Sequence, residues 1–325
     1  MIKLLRILVV ALSSMTALQG AAVAQDFPNH PIQLVVGFPP GGPTDIVARV
    51  IGEELSKQLK QPVLVVNKGG AGGTIAAGYV AKQKPDGYTL MLDVESVKTR
   101  APAIFKSLPY DPIKDFAPIA KMARQRVLLV VNPTLPVQSV RELIAMAKAQ
   151  PTKLNYSGTH AASAHIGGAL FCLQNQVEMT FVSYPGGSQP ISDLIGGVVQ
   201  VGFFTESTVA QHVKAGKLKA LAIAANERSP AFPDLPTLRE AGAAGMDISP
   251  WFGVTAPAGT PRPVIDRLAQ ALRTIVEEGS FETRLASIGA APIRGSTPET
   301  YTSDSVADIA YWKRFVVDAK FPSAE

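Results

Sequence analysis

Short apolar runs of strand length alternate with glycine-containing loops and helical repeats along most of the chain. Ile32 to Val36 is such a run; Gly37 to Asp45 follows as a loop, and Val47, Ile51, Leu55 and Leu59 recur at four-residue spacing, which predicts strand, loop and amphipathic helix. The unit repeats with Val63 to Val66, the loop Gly69 to Thr74 and a helix over Ile75 to Gln83, and again with Thr89 to Leu92 opening on Asp93 to Ser96. A second set comprises Leu154 to Tyr156 before Ser157 to Ser163, Thr180 to Val182 before Tyr184 to Pro190, and Val201 to Phe204 before Thr205 to Ser207. Such alternation predicts an α/β protein with a parallel sheet covered by helices on both faces.

Two longer stretches separate the sets. Ile119 to Val131 is long for one strand and ends at Asn132-Pro133, and Met246 to Ala256 precedes Pro257-Ala258-Gly259-Thr260-Pro261. Read as crossings between domains, they place residues 25–124 and 250–325 in one lobe and 125–249 in a second lobe inserted into it. A single large doubly wound sheet is the alternative that length allows.

The N-terminus breaks the pattern. Lys3 and Arg6 precede an apolar stretch from Ile7 to Leu18, interrupted only by Ser13, Ser14 and Thr16, and Ala22-Val23-Ala24 forms a small-residue cleavage site, so residues 1–24 are expected to be a cleavable secretory leader. The stretch is shorter than the ~20 apolar residues a membrane span needs. About 301 of the 325 residues then remain, enough for two domains, and 46% hydrophobic with 18% charged residues excludes disordered and fibrous classes. The leader carries two of the 31 basic residues and none of the 26 acidic ones, which lowers the formal surplus from +5 to +3. The remaining lysines and arginines are spread singly, so nucleic acid is not an expected partner.

Candidate chemistry is sparse. Cys172 has no second cysteine to pair with, and His30, His160, His165 and His212 are too scattered for a soft-metal cluster; no metal or cofactor is expected. The nucleophile-elbow, P-loop and zinc-protease patterns are absent, and Gly70-Ala71-Gly72-Gly73-Thr74-Ile75 fails the dinucleotide fingerprint at its last position. Ser157, His160, Ser163 and His165 allow a secreted serine hydrolase to be written, although a helix cap at Thr159 or Ser163 explains them as well. The glycine loops offer more. Where a strand gives way to a helix, unpaired N–H groups and the positive end of the helix dipole attract anions, and Gly41-Gly42, Gly72-Gly73 and Gly186-Gly187 let a ligand approach the backbone, with Thr44 or Asp45 placed to cap the first helix.

Those loops carry a family resemblance. Phe38-Pro39-Pro40-Gly41-Gly42-x-Thr44-Asp45-Ile46-Val47-Ala48-Arg49, Asn67-Lys68-Gly69-Gly70-Ala71-Gly72-Gly73, Pro85-Asp86-Gly87-Tyr88-Thr89-Leu90 and Leu108-Pro109-Tyr110-Asp111-Pro112 resemble the Bug, or TctC-like, extracytoplasmic solute receptors of tripartite tricarboxylate transporters. The likeness continues in order through Leu154-Asn155-Tyr156, Tyr184-Pro185-Gly186-Gly187-Ser188, Ala215-Gly216-Lys217-Leu218, Arg228-Ser229-Pro230 and Ala256-Pro257-Ala258-Gly259-Thr260-Pro261. It implies a type 2 periplasmic binding-protein fold, two α/β lobes joined by two crossing strands around a ligand cleft, which closes by a hinge at the crossings. It also implies a periplasmic, non-enzymatic monomer that captures a small organic carboxylate (a di- or tricarboxylate, an amino acid, or an aromatic or pyridine carboxylate) and presents it to membrane components of a transporter. A receptor signalling to a sensor partner is the variant of this reading.

Carried over residue by residue, the resemblance makes Phe38, Pro40, Gly41, Gly42, Thr44, Asp45, Gly72, Gly73 and Thr74 the ligand wall of the first lobe, and Ser157, Thr159, His160, Ser163, His165, Gly186, Gly187 and Ser188 that of the second. Three departures from the family pattern fall in these loops. Pro43 stands where relatives have a third glycine, Asp93-Val94-Glu95-Ser96-Val97 stands where they have a glycine- and serine-rich turn, with Lys98 and Arg100 following, and Thr205-Glu206 replaces Asp-Asn. Glu95, Ser96 and Glu206 are therefore added to the candidate contacts: Glu95 or Glu206 faces the cleft and answers a cationic, amide or hydroxyl group, or both instead point to solvent or pair with Lys98 and Arg100.

Overall fold

A computed structural model of the chain describes residues 27–159, 162–184, 189–319 and 321, with the backbone alone at Thr159. The leader expected over 1–24 lies outside them, as do His160, Gly186, Gly187 and Ser188. The chain begins β1 (Ile32–Val36), α1 (Pro43–Leu59), β2 (Val63–Asn67), α2 (Thr74–Val80), β3 (Thr89–Val94), α3 (Ala101–Ile104) and β4 (Phe116–Gln125). It continues through β5 (Val127–Val131), α4 (Val140–Ala149), β6 (Asn155–Thr159), α5 (Ser163–Asn175), β7 (Thr180–Tyr184), α6 (Gln189–Ile195), β8 (Val201–Thr205), α7 (Glu206–Lys214) and β9 (Lys219–Ile223). It ends with β10 (Trp251–Pro257), α8 (Arg262–Glu277), α9 (Gly279–Ser287), β11 (Ala290–Pro292) and α10 (Pro298–Asp318).

These strands form two sheets, in the orders β11-β4-β10-β3-β1-β2 and β7-β6-β8-β5-β9. The fold is the two-lobed α/β arrangement, not a single doubly wound sheet. Both sheets are mixed, which corrects the expectation of a parallel one. β1 pairs in parallel with β2 and β3, and β6 with β7 and β8, as right-handed strand-helix-strand units require. β10 runs antiparallel to β3 and β4, and β5 antiparallel to β8 and β9, because these strands arrive from the other lobe. The long apolar run expected as one crossing is two strands interrupted at Arg126. The crossings lie side by side: Gln125 N–H donates to Pro250 O (2.9 Å).

The cores follow from strand periodicity. Every residue of β10 and of β5 is buried, as expected for strands covered on both faces. In β5, Val127, Leu129 and Val131 enter one cluster with Ile166, Phe171 and Phe203, while Leu128 and Val130 enter another with Leu194, Val209 and Ile223 on the opposite face. The first sheet packs Leu34, Leu90, Met91, Ile119 and Val254 against Ile51, Leu55, Leu268 and Leu272 of α1 and α8. α10 is a strap between the lobes. Near its start Tyr301 meets Trp251 edge-on (5.3 Å between centroids), and near its end Trp312 and Phe315, with Phe321 beyond, join the core of the second sheet.

Candidate functional site

In the first lobe, the loops leaving the carboxyl ends of β1, β2 and β3 pack against one another. A Cβ at Gly37 would lie 2.8 Å from Gly73 Cα, and one at Gly73 would lie 2.7 Å from Val97 Cγ2 and 3.3 Å from the Phe38 ring, so small residues are required where these loops meet. Asp45 holds the first loop. Its carboxylate accepts from Gly41 N–H (2.9 Å), Asn67 Nδ2 (2.9 Å), Arg49 Nε (2.8 Å) and Arg49 Nη2 (3.1 Å). The Arg49 hydrogen bonds, helped by Gly41 and Asn67, hold its carboxyl well below the ordinary range, at about 2. The expected cap at Thr44 or Asp45 is thereby corrected. Gly42 is the N-cap of α1 with no side-chain cap, because Asp45 turns back to the loop, and Pro43 occupies the first helical turn without a donor. The N–H groups of Thr44 and Asp45 receive no capping side chain, beside a Gly41 and a Pro40 that are exposed. The second loop is a tight 3-10 turn, Ala71–Gly73, in which Thr74 Oγ1 donates to Ala71 O; Gly72 is exposed, whereas Gly73 and Thr74 are buried.

The second lobe presents α5 and α7. Ala162 is the N-cap of α5 and offers no side-chain acceptor, so Ser163 is not the cap; Thr205 is the N-cap of α7, also without a side-chain bond to the helix N–H groups. Several residues expected on this wall serve packing instead. Ser157 is fully buried and donates to Pro190 O (3.3 Å). His165 is buried in an aromatic stack, 3.6 Å from the Phe181 ring and near-parallel to it, with Phe321 at 4.3 Å. Phe321 belongs to the second core and Phe181 packs against it. Ser163 Oγ accepts from Arg100 Nη1 of the first lobe at 3.2 Å, a hydrogen bond between lobes that sequence spacing gave no sign of.

Between the lobes lies a cavity of about 450 Å³. Gly41, Pro43 and Ile46 at the start of α1 form one wall, one side of α7 along its whole length from Glu206 to Lys214 forms the other, and the Ala286–Gly289 segment with Gln125 closes the hinge side. The beginnings of α1 and α7 thus border a common space, both uncapped by side chains, and α7 lies along it. Ser139 and Thr297 cap α4 and α10, which begin elsewhere.

The acidic substitutions separate into two environments. Glu95 is paired: Arg100 Nε donates to Glu95 Oε1 (2.6 Å), Arg100 Nη2 pairs with Oε2, and the Arg100 guanidinium sits 5.0 Å from the Trp312 ring. Burial pushes the Glu95 carboxyl up to about 7, opposed by Arg100 and reinforced by Asp308 and Asp247, which with Glu95 line a second cavity of about 500 Å³ behind the crossings. Asp93 and Lys98 form a neighbouring buried pair (3.6 Å) with Tyr301, and burial drives the Asp93 carboxyl up and the Lys98 ammonium down. Ser96, half-buried, opens the π-helical turn Ser96–Arg100 that carries these charges inward. Glu206 differs. It is 94% buried, since only 6% of its surface is exposed, it lines the interlobe cavity, and its Oε2 has no hydrogen-bond partner among the described residues.

Residues 47–316 match the family described as tripartite tricarboxylate transporter family receptor. The protein BugT of Bordetella pertussis is 36% identical over 288 residues, 88% of this chain and 88% of the relative, and a UPF0065 protein of Cupriavidus necator is 36% identical over 279 residues, 86% and 84%. Among solved structures, Rpa4515 of R. palustris with adipate superimposes with a TM-score of 0.81 at 33% identity (92% of this chain, all of the other), and MatC (Rpa3494) from Rhodopseudomonas palustris with bound malate with 0.76 at 34% (89% and all). The periplasmic binding protein BugD gives 0.77 at 31% identity (92% and all). The chain belongs to the tripartite tricarboxylate transporter receptor family.

Proposed function

We propose that this chain is an extracytoplasmic receptor, exported by its leader, which closes its two lobes on a small organic carboxylate and presents it to the membrane components of a tripartite transporter. One observation carries the reading: α1 begins at the wall of a 450 Å³ cavity between the lobes, with its first-turn N–H groups uncapped by a side chain. A carboxylate placed at the start of α1 gains N–H donors and the positive end of that helix without needing a paired arginine, on the wall facing the Glu206 carboxylate of α7. Gly41, in the cavity wall, admits it to the backbone. Closure is a hinge at residues 125–127 and 248–251, and the ligand stabilises the closed form through contacts it makes only there. The adipate and malate in the two R. palustris relatives agree in chemical class. A hydrolase is not favoured: Ser157 is bonded to Pro190 O, Ser163 to Arg100, and His165 is packed in an aromatic stack.

A thermal-shift panel of carboxylates, run with an esterase assay, tests the proposal. At least one small carboxylate raises the melting temperature in a saturable manner and no turnover is detected. Turnover that disappears in Ser163→Ala, or no stabilisation by any carboxylate, refutes it.

A further inference from the structure

Glu206 is accompanied by a second buried, unsatisfied group. Arg126, the residue between the crossing strands, is 91% buried because only 9% is exposed; its Nη2 bonds Glu227 (3.0 Å), but its Nε has no partner among the described residues. Glu206 N–H donates to Arg126 O (2.8 Å), so the two residues are adjacent. Both line a small cavity of about 110 Å³. This cavity shares Glu206, Ala231, Ala286 and Gly289 with the interlobe cavity and adjoins it on the hinge side. Glu282, also in its wall, is committed to Arg294 (2.8 Å).

A buried acceptor and a buried donor left open beside one another are costly unless a partner serves both. Water fits the space, but so does the end of a ligand lying in the larger cavity. A second carboxylate does not match, because it accepts only and would be repelled by Glu206. A primary carboxamide does: its N–H donates to Glu206 Oε2 and its C=O accepts from Arg126 Nε. Resting on the reading of the cleft as a carboxylate site, we infer that Glu206 and Arg126 form a terminal subsite selecting carboxylates whose far end is a carboxamide over the matching dicarboxylates.

Matched pairs that differ only at this end, succinamate with succinate and adipamate with adipate, provide the test by calorimetry on the full mature chain. In the wild type the better-fitting amide acid binds at least about tenfold tighter than its dicarboxylate. Glu206→Gln, checked for an unchanged melting temperature, removes or reverses that preference, and Arg126→Lys, which keeps the charge but removes Nε, weakens the amide acid about tenfold while leaving the dicarboxylate within about twofold. Equal affinities within each pair that neither variant alters mean that water alone occupies the small cavity and overturn the subsite, as does a wild-type preference for dicarboxylates, with the carboxylate receptor intact in both cases. If no carboxylate of any kind binds, the receptor reading itself fails.

Discussion

Gly289 and Ser207 touch across the boundary between the lobes. A Cβ at Gly289, whose φ is +66°, would lie 2.8 Å from Ser207 Cβ and 2.9 Å from its N and Cα. The turn before β11 therefore abuts the first turn of α7, and closeness there sets how near α7 comes to the start of α1.

Gly289→Ala is expected to hold the lobes apart. Strain at positive φ costs about 1–2 kcal/mol of stability, and affinity for the best carboxylate falls at least about tenfold, about 1.4 kcal/mol. Unfolding and calorimetry on the same preparation measure the two effects; unchanged affinity means that the contact does not govern closure.

Arg100→Met is expected to destabilise the chain by about 3–5 kcal/mol, because it strands Glu95 without its cation and removes the hydrogen bond to Ser163. Adding Glu95→Gln recovers much of that loss, since the orphaned charge is then gone. Denaturant unfolding of the single and double variants checks the pair, and equal losses in both contradict it.

Asp45 gives a pH signature. Its carboxyl titrates near 2 in the folded chain, below the ordinary 3.8, so its contribution is fully present above about pH 4 and is lost as pH falls through about 2. Asp45→Asn lowers stability at pH 7 by about 1–3 kcal/mol through loss of charged hydrogen bonds, and the gap to wild type narrows on acidification toward pH 2. A gap that stays constant on acidification contradicts this role.

His165→Ala is expected to cost about 2–4 kcal/mol by opening the stack with Phe181 and Phe321, while ligand affinity stays within about twofold. A large loss of affinity with normal stability places His165 in the ligand wall after all.

Much of the strand-and-loop framework was legible because it is local. The run Ile32 to Val36 is β1 residue for residue, and the four-residue spacing from Val47 to Leu59 is the buried face of α1. What escaped depends on partners far along the chain. Nothing near Trp251 says that β10 inserts antiparallel between β3 and β4, and nothing near Arg100 points to Ser163 or Trp312. Departure from the family pattern marked Glu95 and Glu206 as unusual, yet only packing separates them: Arg100 is five residues from Glu95 and neutralises it, whereas Glu206 starts a helix with no described side chain paired to its Oε2. The capping residues misled for a related reason, since Asp45 found stronger donors in Arg49 and Asn67 than the helix end supplied.

The central claim, that main-chain N–H groups at the start of α1 hold the ligand carboxylate, is tested most directly by amide chemical-shift mapping. A ¹⁵N-labelled mature chain is titrated with the carboxylate that stabilises it most. The largest shifts are predicted at Gly41, Gly42, Thr44 and Asp45, with smaller ones at Ser207 and Thr208 on the facing wall, saturating together at one equivalent. Saturable shifts confined to other surfaces, with these amides unmoved, contradict the account.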